Sequence, residues 1–315
     1  MIMLLLLALA PGIGETASLT AVRDGYPHLS PDGRRLLFHS NRSGRQAIWV
    51  AAADGSGPHI LFDDPSRGED PGTPVWSPDG SRIAFGMKPR GATDPNESEI
   101  YTIKPDGSGL RRLTNAPGDD SHPHWSADGT RIFFNSARAT PDLKADWGRQ
   151  WIDIYSMAAD GREVRRHTHC ENVCTYPVPS PDGRSVAHRR VTATLGQNWD
   201  LTPTMRNSEV FITPLDGSPP INVSSSPAYD GWPMWSPDGR SLLFVSNRDG
   251  FSNTGQIYRV RADGSGLRRL TEGLWSRAQP SFSANGKRVF VYESIENDRF
   301  ELGHIASFEV PPEER

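Results

Sequence analysis

Apolar positions in this chain fall in short runs that alternate with polar ones or stand unbroken for a few residues, and about every second run ends at an Asp-Gly turn. RRLLFHS from Arg34 is followed by AIWVAA from Ala47, and the same succession returns as RIFFNS from Arg131 and DIYSMA from Asp153. Short runs rich in Ile, Val, Phe, Tyr and Trp and bounded by turn residues read as β-strands. Glycine after aspartate takes a positive φ at little steric cost, so these pairs mark tight turns between antiparallel neighbours. The pattern predicts an all-β chain built of hairpins.

The hairpins repeat. YPHLSPDGRRLLFHSNR from Tyr26 recurs as TPVWSPDGSRIAFGMK from Thr73, HPHWSADGTRIFFNSAR from His122 and YPVPSPDGRSVAHRRV from Tyr176. Two more copies are WPMWSPDGRSLLFVSNR from Trp232 and QPSFSANGKRVFVYES from Gln279. Their prolines (Pro27, Pro74, Pro123, Pro177, Pro233 and Pro280) are spaced 47, 49, 54, 56 and 47 residues apart. A second block follows five of them, as in EIYTIKPDGSGLRRLT from Glu99 and QIYRVRADGSGLRRLT from Gln256. Each unit therefore reads as four strands joined by two Asp-Gly turns and an intervening loop. Four antiparallel strands in roughly 40–50 residues make a propeller blade. The predicted fold class is an all-β, six-bladed β-propeller of four-stranded antiparallel blades, over residues 17–311 with a tail at 312–315. The sixth unit lacks a clear fourth strand. Ala17-Ser18-Leu19-Thr20 resembles the Leu-Thr end of the others, and is predicted to close the ring as an N-terminal strand, which removes an exposed edge.

Composition narrows the function classes. Lys and Arg number 34 against 38 Asp and Glu, a formal charge of −4, and no run of like charge appears, so nothing draws the chain to nucleic acid. Ile2 to Ala10 is apolar but too short to span a bilayer. It reads as the core of a signal peptide over residues 1–16, with cleavage candidates at Gly12, Gly14 and Ala17. The expected location is periplasmic or secreted, with no integral membrane segment in the mature chain. In that setting Cys170 and Cys174 are expected to form a local disulfide. The neighbouring His167 and His169 offer a metal alternative, but strand alternation puts both on one face while the cysteines lie in the loop beyond.

The repeated Ser-Pro-Asp-Gly and Leu-Thr elements resemble the propeller of TolB-like periplasmic proteins over about residues 17–310. Similar propellers precede the catalytic domain of prolyl-oligopeptidase-type peptidases. A G-x-S-x-G nucleophile elbow is absent from this sequence, so the chain reads as a propeller alone, without that domain or the N-terminal domain of TolB. The resemblance implies a binding platform.

Repeat grammar accounts for many residues. Trp76, Trp125 and Trp235 share one position and read as inter-blade core. Arg42 and Arg248 read as structural, and Arg111-Arg112, Arg165-Arg166 and Arg268-Arg269 as solvated outer strands. The long insertions Asn135–Trp151 and Arg189–Ser208 carry Trp147, Trp151, Trp199, Asp142, Asp146 and Asp200, and segments this long are commonly functional. The residues flanking the prolines begin the innermost strands at the channel mouth. A ligand-binding rim is predicted at Tyr26, His28, His122, His124, Tyr176, Trp232, Gln279 and Arg277, with Thr73 beside them. Glu69, Asp70, Asp119, Asp120, Glu171 and Asp230 lie in the preceding loops. Aromatic walls with a few polar groups suit a small molecule or a peptide.

Two functional classes follow, beside a structural envelope protein without a defined ligand. The first is an exported recognition or scaffold module, without a cofactor, that binds an envelope protein, a peptide or a small ligand at the loop-rich face. The alternative is a metal-assisted lyase or hydrolase acting on a carbohydrate or anionic substrate. His122 and His124, two apart on a strand, would hold a divalent metal with Asp119 or Asp120, and oligogalacturonate lyases are similar propellers with a comparable H-x-H element. His28 or His188 would then be the base, and Arg189, Arg190 or Arg277 would neutralise the substrate.

Overall fold

A computed structural model describes residues 22–92, 97–145, 149–197, 203–249, 255–294 and 303–311. Six antiparallel sheets follow one another along the chain, each with its first strand innermost. Blade one comprises Asp24–Leu29, Arg35–Ser40, Ala47–Ala52 and His59–Phe62. Blades two to five repeat that order, opening with inner strands Gly68–Trp76, Asp120–Trp125, Cys174–Pro179 and Asp230–Trp235. Blade six has three strands among the described residues, Ser276–Phe282, Arg288–Ser294 and His304–Glu309. The closing segment expected at residues 17–20, the signal peptide at 1–16 and the tail at 312–315 lie outside the described residues. Among those described, no helix is long and apolar enough to cross a membrane.

The turns explain the repeat. In blade one the Ser30 hydroxyl donates to Asp32 Oδ1 at 2.5 Å, while Oγ accepts the Arg35 amide at 2.9 Å. Gly33 turns the chain with φ 73°. Ser77, Ser126, Ser180, Ser236 and Ser283 repeat the hydroxyl contact, the last to Asn285. These bonds stabilise the ionised aspartate. The Ser77 hydroxyl, then the Ser81 amide, holds Asp79 down at about 2.

Packing runs between blades. Trp76, Trp125 and Trp235 are buried. Trp76 clusters with Leu37 and Val50 of the preceding blade, and the Trp235 indole N–H reaches the Val178 carbonyl at 3.0 Å. Two ionic staples recur inside this frame. Asp24, Asp120 and Asp230 open their inner strands and pair with Arg42, Arg138 and Arg248 at 2.6, 2.7 and 2.9 Å. Glu99 and Asp153 pair with Arg112 and Arg166 of the outermost strands at 2.5 and 2.6 Å. Arg111 and Arg112 are exposed as expected, whereas Arg166 is half-buried against Asp153, which corrects the reading of that residue as solvated. Period-two alternation exposes one member and directs the next to the sheet's other side.

Candidate functional site

All six inner strands carry the same backbone irregularity. The residue before each proline is left-handed: Tyr26, Thr73, His122, Tyr176, Trp232 and Gln279 have φ between 46° and 59°. Pairing with the second strand shifts register at the same place. Such conformations cost on the order of 1–3 kcal/mol each for residues other than glycine. The proline that follows has no N–H to leave unpaired on the channel-side edge. The bulge turns the residues before and after each proline into the central channel, which they line together.

These side chains form two layers. Inner strands run from the loop-rich face toward the Ser-Pro-Asp-Gly face, so Tyr26, Thr73, His122, Tyr176, Trp232 and Gln279 make the upper layer. His28, Val75, His124, Val178, Met234 and Ser281 make the lower one. Across the upper layer the Tyr26 hydroxyl meets His122 Nε2 at 3.3 Å and accepts the Trp232 indole N–H at 3.4 Å. His122 stands edge-on to Tyr176 at 4.6 Å between centroids, and Tyr176 stacks on Trp232 at 5.4 Å. The Tyr26 amide donates to Gln279 Oε1 at 2.8 Å. Blades one, three, four, five and six therefore meet on the axis, and the channel is plugged at this level.

The lower layer is tied in the same way. His28 Nδ1 accepts the Trp76 amide at 3.3 Å, and His28 and His124 stand edge-on at 6.0 Å. Burial disfavours the charged imidazole. It lowers His28 to about 3 and His122 to about 4, and pushes His124 down as well. Burial also raises the Tyr26 and Tyr176 phenols.

Of the predicted rim, the structure brings together Tyr26, His28, His122, His124, Tyr176, Trp232 and Gln279. Arg277 lies apart, bonded to Glu293 Oε1 at 2.6 Å and to the Glu272 carbonyl at 2.8 Å. Asp120 and Asp230 are ion-paired inside the fold and are not rim groups, whereas Glu69, Asp70 and Glu171 are exposed. Asp119 accepts the Ser121 hydroxyl at 2.5 Å, and burial, with Asp120 beside it, pushes its carboxyl up to about 7. Among the described residues no three His, Cys, Asp or Glu side chains converge to hold a metal ion. His122 is engaged by Tyr26, Tyr176 and Ser121, and His124 Nδ1 by the Trp125 carbonyl. His188 is buried inside blade four, bonded through Nε2 to Thr213 Oγ1 at 2.8 Å. His167 bonds Ser156, His169 is exposed, and Cys170 and Cys174 are disulfide-bonded with Cα atoms 6.3 Å apart.

Both long insertions are folded where described. Thr140 clasps the backbone of Trp151 at 2.9 and 3.0 Å, and Leu143 packs on Ala137, Ile152, Val173 and Val191. In blade four the second and third strands extend into a small hairpin, Gly196–Gln197 against Pro203–Thr204. Trp147, Trp199, Asp146 and Asp200 lie outside the described residues.

A second ring lies just outside the upper layer; sequence reasoning named Arg189 as a candidate substrate contact but missed His39 and Asn135. His39, Asn135 and Arg189 occupy one register position on the second strands, opposite Gly25, Ser121 and Thr175. The small residues opposite make room: a Cβ on Gly25 would fall 2.5 Å from His39 Nε2. His39 is buried with neither ring nitrogen hydrogen-bonded, and its edge meets Tyr26 at 5.3 Å. Aligning the second strands shows the signal in blades one, three and four, a polar residue where blade five has Val245.

Comparison with known proteins agrees with this architecture. The sequence profile of the TolB beta propeller domain matches residues 66–199 and 199–308. Dipeptidyl-peptidase 5 of Porphyromonas endodontalis is 25% identical over 279 residues, covering 75% of this chain and 38% of that protein. The Tol-Pal system protein TolB of Anaeromyxobacter dehalogenans is 36% identical over 99 residues, 31% of this chain and 21% of that one. The chain thus spans well under half the length of either relative. A solved structure from Agrobacterium tumefaciens assigned as a TolB superposes with a TM-score of 0.64 at 22% identity, over 92% of this chain and 91% of its own. With six blades in phase and the profile covering most of them, the chain belongs to the TolB beta propeller domain family.

Proposed function

We propose that this protein is an exported recognition module whose loop-rich face binds a protein or peptide. The observation that carries this reading is the plug. Tyr26, His122, Tyr176 and Trp232 fill the axis with their own contacts, so a ligand would rest on the mouth rather than pass through it. Apolar side chains stand exposed on the loop-rich face. Leu195 is 67% and Met205 65% exposed on the blade-four extension, and Leu274 is 81% exposed in the lead-in to blade six. Antiparallel connectivity puts both segments on the same face of the ring. Exposed apolar groups above a rigid frame are features of a protein-binding surface. Export is consistent with the Cys170–Cys174 disulfide, which persists in oxidising compartments.

A photo-crosslinking residue placed at Met205 or at Leu274 tests the reading, with the same residue at Ser218 on the opposite face as the control. A discrete partner crosslinked from the first two positions and not from the third is expected. Crosslinks of equal yield from both faces, or none from the loop-rich face, overturn it.

A further inference from the structure

We infer that the mouth above the plug is a receptor for a carboxylate carried by a peptide-like ligand, with Arg189 as its anchor. The inference rests on the loop-rich face being the recognition surface, and adds the chemistry of what it takes.

Blade four departs from the ionic pattern of its neighbours. Blades one, three and five open with Asp24, Asp120 and Asp230, each paired with an arginine beyond the second strand. At the matching positions blade four has Cys174 and Thr192. Its charge sits instead at Arg189 and Arg190. The two alternate across the strand: Arg190 lies over Phe211 at 5.4 Å, whereas Arg189 lies over Tyr229 at 5.1 Å and Tyr176 at 6.0 Å, above the plug. The Arg189 Nε donates to Ser208 Oγ at 2.6 Å, and no carboxylate among the described residues is within ion-pair reach of it.

A second cation stands nearby. Arg206, on the return of the blade-four hairpin, donates to Asn172 Oδ1 at 2.6 Å and likewise lacks a carboxylate partner among the described residues. Burial, then the charge of Arg189, pushes its pKa down, the direction expected of two cations that lack an anion between them. Thr175 pairs with Arg189 in register, so their side chains share a face. The Thr175 hydroxyl is buried without a hydrogen-bond partner, and a buried polar group without a partner calls for one. A guanidinium presents a planar fork that matches a carboxylate in two-point contact. Tyr176 stacks on Trp232, which packs on Tyr229, so the floor beneath the guanidinium is aromatic.

The experiment titrates the full chain with N-acetyl-L-phenylalanine and with its carboxamide by isothermal calorimetry, with inorganic phosphate as competitor. The acid should bind saturably and at least about tenfold more tightly than the amide, the scale of one charge-assisted hydrogen-bonded contact. Arg189→Gln should reduce the acid to the level of the amide, while Arg277→Gln, whose parent residue is engaged elsewhere, should change nothing. Arg189→Lys, with the charge but without the fork, should fall between, and serves if the glutamine variant does not fold. Equal binding of acid and amide overturns the carboxylate receptor and leaves the recognition face standing. Binding of neither counts against both at this mouth. Displacement by phosphate at concentrations equal to the acid makes the site a general oxyanion site and overturns the peptide assignment.

Discussion

The phenol oxygen of Tyr26 stands 3.3 Å from Nε2 of His122, two blades away across the propeller axis, and the Trp232 indole N–H reaches the same oxygen at 3.4 Å. One hydroxyl thus joins three alternate blades. Tyr26→Phe keeps the ring and removes that junction, a loss of roughly 0.5–1.5 kcal/mol for each hydrogen bond given up. The expected result is a lower melting temperature and faster amide exchange in Asp24–Leu29, read by mass spectrometry. Exchange unchanged from wild type would show that the plug does not depend on the hydroxyl.

The Asp120–Arg138 staple gives a second expectation. Asp120 is 0% exposed, and removing one partner of a buried pair costs about 3–5 kcal/mol because the remaining charge is stranded. Arg138→Met should lose stability on this scale in urea unfolding. Asp120→Asn combined with Arg138→Met should recover most of it. A double variant as unstable as the single would mean that packing around the guanidinium matters more than charge.

Stability should fall on the acid side for a definable reason. Burial holds His28 and His39 near about 3, and His122 and His188 near about 4, against an ordinary 6.5. Depressed histidines favour the neutral form in the fold, so their contribution is full above 6.5 and is lost as pH falls toward their folded values. Asp119, raised to about 7, works in the opposite sense: its contribution is full below 3.8 and is lost as pH rises through 7. Melting curves should therefore show that His188→Phe loses less than wild type between pH 7 and pH 5. Asp119→Asn should be favoured over wild type at pH 8 more than at pH 5. A parallel pH dependence in all three proteins would contradict both assignments.

Architecture was readable because each blade spells out its own turns. Asp32 and Gly33 are needed wherever the first hairpin closes, and Trp76 wherever two blades meet, so the same letters return at each period. The upper channel layer was readable too, because the residue before a repeated proline marks a fixed place on the inner strand. What the sequence did not disclose is how neighbouring side chains spend their polar atoms. Asp120 and Arg277 look alike as charged residues near a mouth, yet one pairs with Arg138 and the other with Glu293, contacts across 18 residues in one case and between strands in the other. His39 went unnoticed because its significance depends on Gly25 and Gly72 leaving space beside it.

Ring closure yields a fourth prediction. Phe38 and Ala51 of blade one face Phe290 and Ile305 of blade six across a groove. At the other seams the Leu-Thr end of a fourth strand packs there, as Leu113 does on the blade-three cluster that holds Phe134. Deleting residues 17–20 should lower the melting temperature and raise binding of a hydrophobic dye. An unchanged melt would mean that the sixth blade is closed by something else.

A fifth concerns metal. Protein purified without a chelator or a histidine tag, and a His122→Ala/His124→Ala variant, should both carry well below one equivalent of any divalent ion by plasma mass spectrometry. One equivalent in wild type that disappears in the variant would revive the lyase reading and direct the search to uronate oligosaccharides.

The left-handed residues before the six prolines have a consequence for how such a molecule can change. A tyrosine, a threonine, a histidine, a second tyrosine, a tryptophan and a glutamine all stand on one backbone geometry. What fixes each position is the bulge and the proline, and neither depends on the side chain displayed. Six adjoining sockets can therefore be refitted one at a time, each swap altering the chemistry on the axis while the frame that presents it keeps its shape.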